Sequence, residues 1–281
     1  MIEVEDIYFS YGKRRILNGV SFSIERGQFI CVLGENGCGK TTLLKLMLGL
    51  LKPEKGRITL YGQDIRQMTE RELAKKVAYI PQSHTPPFPF EVMDVVLMGR
   101  TPHLSKTCRP TAGDIEIARQ SLERLGILEY ADKRYTELSG GQRQMVIIAR
   151  ALTQQPDLLI MDEPTASLDF GNQYLVLTQM LRLAAEGLSV LMVTHDPDHA
   201  LYCADQIIAM KDGRIIRQGE TKAVISEPTM ESVYRMTVKV RNVRIGPEKS
   251  RAVCVPVPEL TERLGGGSGQ APGPSREVIL H

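Results

Sequence analysis

Four short groups of residues carry types and spacings suited to phosphate chemistry. Gly34-Glu35-Asn36-Gly37-Cys38-Gly39-Lys40-Thr41 fits G-x-x-x-x-G-K-[ST] at every fixed position. Its glycines let successive backbone N–H groups turn inward into a concave anion nest. Lys40 can reach the outer phosphates as a flexible point charge, and Thr41, followed by Thr42, offers a hydroxyl to a divalent cation. A helix starting here aims its positive end at the same anion. The second group, Leu158-Leu159-Ile160-Met161-Asp162-Glu163-Pro164, is an apolar run ending in two acids. One acid can organise a cation and the other polarise a water, although acids before a proline also simply begin turns. The third, Leu138-Ser139-Gly140-Gly141-Gln142, precedes the helical run Arg143–Thr153 and supplies another helix N-terminus suited to phosphate. The fourth is His195, at the end of an apolar run.

Positioning these groups requires a sheet. Phe29–Leu33, Leu158–Met161 and Val190–Val193 are continuously apolar, as expected of strands buried on both faces of a parallel sheet. Helical patterns follow each, over about 40–50, 172–185 and 197–203. This alternation predicts a doubly wound α/β core, which places chemistry at the carboxyl ends of its strands. Those ends carry Gly34, Asp162-Glu163 and His195, so three buried strands converge on one edge.

Strand candidates Ile2–Phe9, Val20–Ile24 and Arg57–Leu60 predict an antiparallel β subdomain. Helical periodicity between about 90 and 156, including Asp114–Leu125 and Gln142–Thr153, predicts an inserted α-helical subdomain. Gln206–Met210 and Arg214–Gln218 read as a hairpin around Lys211-Asp212-Gly213. Val238, Val240, Val243, Ile245 and Ala252–Val257 read as β structure added to the core. Gly265–Ser275, rich in Gly, Pro and Ser, reads as a linker without fixed structure. The expected division is a main domain over 1–235, a small extension over 236–264 and a tail over 265–281.

Composition narrows the class. Hydrophobic residues make up 42% and charged residues 24%, enough for a sizeable core in a soluble chain. The net charge of +2 is spread along the sequence, which argues against a nucleic-acid partner. Lys13-Arg14-Arg15 reads as a solvated turn. Five cysteines without paired or metal-ligand spacing argue for a reducing compartment. Cys38 is either a thiol activated by Lys40 and the helix start or an incidental small residue. An acidic N-terminus, and no apolar run near the roughly 18 residues of a membrane span, predict a chain without its own membrane segment.

A phosphate loop, then Leu-Ser-Gly-Gly-Gln, then a strand ending in two acids resembles the ABC ATPase superfamily, built on a P-loop NTPase core. The resemblance covers about residues 1–235 and implies ATP and Mg²⁺ as cofactors. Gly34, Glu35, Asn36, Gly37, Cys38, Gly39, Lys40, Thr41 and Thr42 would then bind nucleotide. Tyr11 looks like the aromatic that stacks on adenine. Thr41, Gln82 and Asp162 would hold the metal, with Glu163, His195 and Gln82 as the catalytic set. Ser167-Leu168-Asp169 resembles the D-loop. The resemblance also implies a head-to-tail homodimer, in which Ser139, Gly140, Gly141 and Gln142 of one subunit close over the phosphate loop of the other.

The segment from His84 to Leu104 resembles ATPases that energise uptake of iron–siderophore complexes, haem and cobalamin; some relatives carry molybdate or tungstate. There it faces the coupling helices of a permease, so the stretch is either an apolar docking surface or a loop packed on its own domain. The expected partners are two copies of a separate transmembrane permease and an extracytoplasmic substrate-binding protein, with the chain peripheral on the cytoplasmic face of the membrane. ABC ATPases outside transport are the alternative. A long coiled coil before the signature, or a second set of motifs, would mark those, and this chain has neither.

Overall fold

Apolar runs bounded by glycine and polar turns set the strands of this protein. The computed structural model describes residues 1–82, 89–105, 109–246 and 250–257. The chain opens with strands β1 (Ile2–Tyr11), β2 (Arg14–Ile24) and β3 (Phe29–Leu33), then helix α1 (Lys40–Met47). Strands β4 (Lys55–Leu60) and β5 (Gln63–Asp64), helix α2 (Glu70–Lys76) and strand β6 (Val77–Ile80) follow. Helices α3 (Val92–Leu97), α4 (Ala112–Arg124) and α5 (Gly140–Thr153) come next. The core then resumes with β7 (Leu158–Asp162), α6 (Phe170–Ala185), β8 (Ser189–Thr194), α7 (Pro197–Cys203), β9 (Gln206–Lys211) and β10 (Arg214–Glu220). Helices α8 (Thr221–Val224) and α9 (Glu227–Tyr234) lead to strands β11 (Thr237–Arg244) and β12 (Ser250–Val257).

The main sheet runs β10-β9-β3-β8-β7-β6, parallel except for the β10 edge. Side chains alternate between its two faces. Ile30 and Val32 of β3 join Leu43, Leu44 and Leu46 of α1 in a core shared with the antiparallel sheet β2-β1-β4-β5. Phe29, Cys31 and Leu33 face the opposite way, into a core with α5 and α6. Both faces are thus dry, which explains the continuous apolar pattern of β3, β7 and β8.

The structure revises or sharpens the sequence expectations in three places. Arg14 and Arg15 are not a solvated turn: Tyr11 pairs with Arg14 around Gly12-Lys13, so both arginines begin β2. Gly12 takes φ +58° there, a conformation glycine adopts without strain. The β structure expected over 238–257 is a separate antiparallel pair, β11 and β12, with Val238 buried in the core. In the segment read as a docking surface, Val92, Val95 and Val96 are buried in the helical core, while Met98 is exposed. Residues 84–88 of that segment, and the tail over 265–281, lie outside the described residues. Among the described residues no helix is long and apolar enough to cross a membrane.

Candidate functional site

The loop between β3 and α1 is shaped by its glycines. Gly37 and Gly39 take φ +81° and +111°, a region that L side chains rarely enter. A Cβ on Gly39 would also stand 2.8 Å from Leu17 Cδ2. Gly39 is the N-cap of α1 and makes no side-chain cap bond, so the first N–H groups of that helix have no capping side chain. Lys40 is buried, and its ammonium donates to the carbonyls of Gly34 (2.6 Å) and Glu35 (3.0 Å). A buried cation held by neutral oxygens has a strong affinity for an anion.

Asp162 and Glu163 reach the same place from β7. Asp162 is buried, and that burial pushes its carboxyl up, against the opposing pull of the Thr41 hydroxyl. Tyr79, on the adjacent β6, is pushed up to about 12 by burial and by Asp162. Glu163 sits at φ +48°, a strained position for a non-glycine residue, yet its N–H still donates to Val193 O at 3.0 Å. This bend directs its carboxylate to two partners. Gln82 Nε2 donates to Oε2 at 3.1 Å, and His195 Nδ1 lies 3.2 Å from Oε1. A strand-end acid, a residue just beyond β6 and a residue just beyond β8 thereby form one cluster.

A cleft of about 430 Å³ lies over these groups, lined by Tyr11, Arg14, Ile16, Asn36, Gly37, Gly39, Lys40, Thr41, Thr42, Gln82, Asp162 and Glu163. Tyr11 is half exposed and braced edge-on by Phe9, with ring centroids 4.9 Å apart. Gly34, Glu35 and Cys38 belong to the loop but do not line this cleft. A Cβ on Gly34 would stand 2.7 Å from Cys38 Sγ, so that thiol packs beneath the loop. Burial pushes it up, outweighing Lys40, which favours the reading of Cys38 as an incidental small residue over an activated thiol.

Ser139, Gly140, Gly141 and Gln142 do not line the cleft either. They begin α5, where Ser139 Oγ accepts from Gln142 N (3.3 Å) and Gln142 Oε1 accepts from Ser139 N (2.9 Å). That is a closed capping box. Gly141 packs where a Cβ would overlap the amide of Asn172, which is itself bound to Asp169, the N-cap of α6. The start of α5 and Asp169 are therefore in one packed unit, on a different surface from the cleft.

Sequence reasoning missed Arg14 and Ile16. Their signal was the two-residue turn after Tyr11, which sets Arg14 opposite the aromatic. It also missed Tyr234, whose hydroxyl donates to His195 O at 2.7 Å; nothing in the sequence flags that pairing.

The donor set suits Mg²⁺ held jointly with phosphates. Thr41, Gln82 and Asp162 offer oxygens, the preferred ligands of a hard cation, and a cation would compensate the buried Asp162. Among the described residues no group of three or more His, Cys, Asp or Glu could hold a metal on its own.

Residues 17–166 match the family model described as ABC transporter. The chain is 35% identical over 255 residues to the iron(3+)-hydroxamate import ATP-binding protein FhuC of Bacillus subtilis, covering 90% of this chain and 94% of that one. It is 32% identical over 237 residues to the molybdate import ATP-binding protein MolC of Haemophilus influenzae, covering 84% and 88%. A solved ABC transporter assigned to the metal-chelate type, in an inward-facing conformation, superposes with a TM-score of 0.83 at 30% identity, covering 92% of this chain and 97% of that one. Likeness over most of each length, in sequence and in fold, makes this chain a member of the ABC transporter family, one of its ATP-binding and ATP-hydrolysing subunits.

Proposed function

We propose that this chain powers import of a metal chelate, such as an iron(III)–siderophore, haem or cobalamin, by hydrolysing ATP with Mg²⁺ beneath a separate permease. The observation that carries the catalytic part is the cluster Gln82–Glu163–His195 beside Lys40. Lys40 exchanges the Gly34 and Glu35 carbonyls for the β- and γ-phosphates, and Tyr11 receives the adenine. The main-chain amides of the loop from Gly34 to Thr42 cradle the phosphates. Thr41, Gln82 and Asp162 would hold Mg²⁺, which would supply neutralisation of phosphate charge. Glu163 orients and polarises the attacking water, with Gln82 and His195 fixing its two oxygens.

The γ-phosphate side of the cleft is open in one chain because Ser139–Gln142 lie elsewhere. A second copy, related head to tail, completes it. Ser139 suits this role: its oxygen accepts the cap bond, leaving its proton free to donate to phosphate. Residues 1–235 form the motor, and 236–264 an attachment to it.

The permease is the second partner. A groove of about 560 Å³ lined by Leu50, Leu73, Tyr79 and Met98, with Leu50 66% exposed, supports a docking seat for it. The complete system has two permease copies and an extracytoplasmic binding protein, with this chain on the cytoplasmic face. Likeness to an iron-hydroxamate import protein and to a metal-chelate type transporter supports the cargo class. Uptake assays in cells lacking the chain test it: uptake of iron chelate, haem or cobalamin should fall and return on complementation. A defect confined to molybdate or tungstate would replace that cargo, and intact uptake of all of them would refute an import role.

A further inference from the structure

His195 is held at two points. Its imidazole meets Glu163, and its backbone carbonyl accepts from the Tyr234 hydroxyl at 2.7 Å. The imidazole itself is about half exposed, with side-chain accessibility of 52%, so its own packing does little to fix it. Tyr234, by contrast, is the last residue of α9, whose Met230 and Val233 are fully buried.

The chain then turns at Arg235, φ +55°, into the β11–β12 hairpin. That hairpin lies on α7, the helix that begins two residues after His195. Cys254 N donates to Asp198 Oδ1 at 2.9 Å, and Arg251 Nη2 donates to Asp198 O at 3.2 Å. The Arg251 guanidinium stacks over the Tyr202 ring, 4.6 Å from its centroid. Arg235 also reaches the phosphate loop, 3.6 Å from Glu35, and Asp212 at 3.3 Å. The chain from Tyr234 through the hairpin therefore contacts the phosphate loop, the His195 carbonyl and α7.

We propose that Tyr234 is a positioning residue for hydrolysis: its hydroxyl anchors the His195 carbonyl and so holds the imidazole against Glu163, with the C-terminal hairpin keeping α7 in place behind it. This rests on the proposed role of His195. Removing the hydroxyl frees the His195 main chain while leaving the ring packed, so the effect falls on turnover rather than on nucleotide binding.

The test is Tyr234→Phe in the full-length chain, assayed for ATP hydrolysis with Mg²⁺ beside His195→Ala and Tyr202→Phe. Tyr202→Phe removes a comparable hydroxyl bond, 2.8 Å to Thr178 Oγ1, from helix α7 beside the site without touching His195. The expected result is a fall in kcat of about 3- to 10-fold for Tyr234→Phe, KM for ATP within about twofold of wild type, and no such fall for Tyr202→Phe. In a His195→Ala background, followed in single-turnover assays, Tyr234→Phe should cause no further loss. Wild-type kcat in Tyr234→Phe, or equal losses in both tyrosine variants, would overturn the positioning role alone. Wild-type turnover in His195→Ala would overturn the role of His195, and this inference with it.

Discussion

Two helices of this protein begin at glycine-rich, phosphate-suited sequences, and their N-termini are finished in opposite ways. Helix α1 starts at Gly39, which has no side chain to cap with and a backbone conformation that excludes one. Helix α5 starts at Ser139 with a closed capping box. The first leaves its donors for a ligand and keeps Lys40 buried without a carboxylate hydrogen bond. The second ties the amides of Ser139 and Gln142 into its capping box and keeps the Ser139 proton in reserve. Under the proposed function, one start binds within the chain and the other is presented to a second copy. The contrast is between local discomfort retained for a ligand and local stability needed on a surface that must keep its shape alone.

The largest expected effect is at the first region. Glu163→Gln should lower turnover by about 10²- to 10³-fold while ATP binding persists, read by phosphate release beside nucleotide titration.

Next comes the scaffold of the second region. Asp114 Oδ1 accepts from buried Arg100 at 2.8 Å, and Arg100 donates to Thr153 O at the far end of α5. Asp114→Ala leaves that guanidinium uncompensated and should cost about 3 kcal/mol by denaturant titration, with the nucleotide cleft unaltered. The same acid has a pH signature. The Thr111 amide and hydroxyl, then Arg100, hold its carboxyl at about 2. Its folded value is depressed, so this stabilisation is complete above about pH 4 and disappears as pH falls toward 2. Asp114→Asn should flatten that acid limb in thermal melts.

Gly39→Ala should weaken ATP binding by about tenfold or more, because a side chain at φ +111° must displace the loop or Leu17. Within one chain Ser139→Ala removes only a cap and should cost about 1 kcal/mol in thermal stability. If Gly39→Ala bound ATP normally, or Ser139→Ala abolished ATP binding by the isolated chain, the contrast between the two helix starts would fail.

Much of this was legible in the sequence where one chain segment carries its own context. The apolar runs at Phe29, Leu158 and Val190 identified the buried strands, because burial on both faces leaves an unbroken pattern. The phosphate loop and the acid pair sit directly at the ends of such strands, so their convergence could be read from connectivity. Arg14 escaped because a two-residue turn looks the same as a solvated basic loop until pairing sets its register. The Tyr234–His195 bond escaped because it joins residues 39 apart through a main-chain carbonyl, which leaves no trace in residue type. Cys38 stayed open between two readings because its distance along the chain from Lys40 says nothing about facing down into the protein.

The central claim is that Ser139 of one copy completes the cleft of another. Sedimentation of the full-length Glu163→Gln chain, with and without ATP and Mg²⁺, tests it most directly when repeated with Ser139→Arg added. The account predicts a monomer without nucleotide, a dimer with ATP, and a monomer under both conditions once Ser139 is replaced. A chain that stays monomeric with ATP, or a dimer indifferent to Ser139, would contradict it.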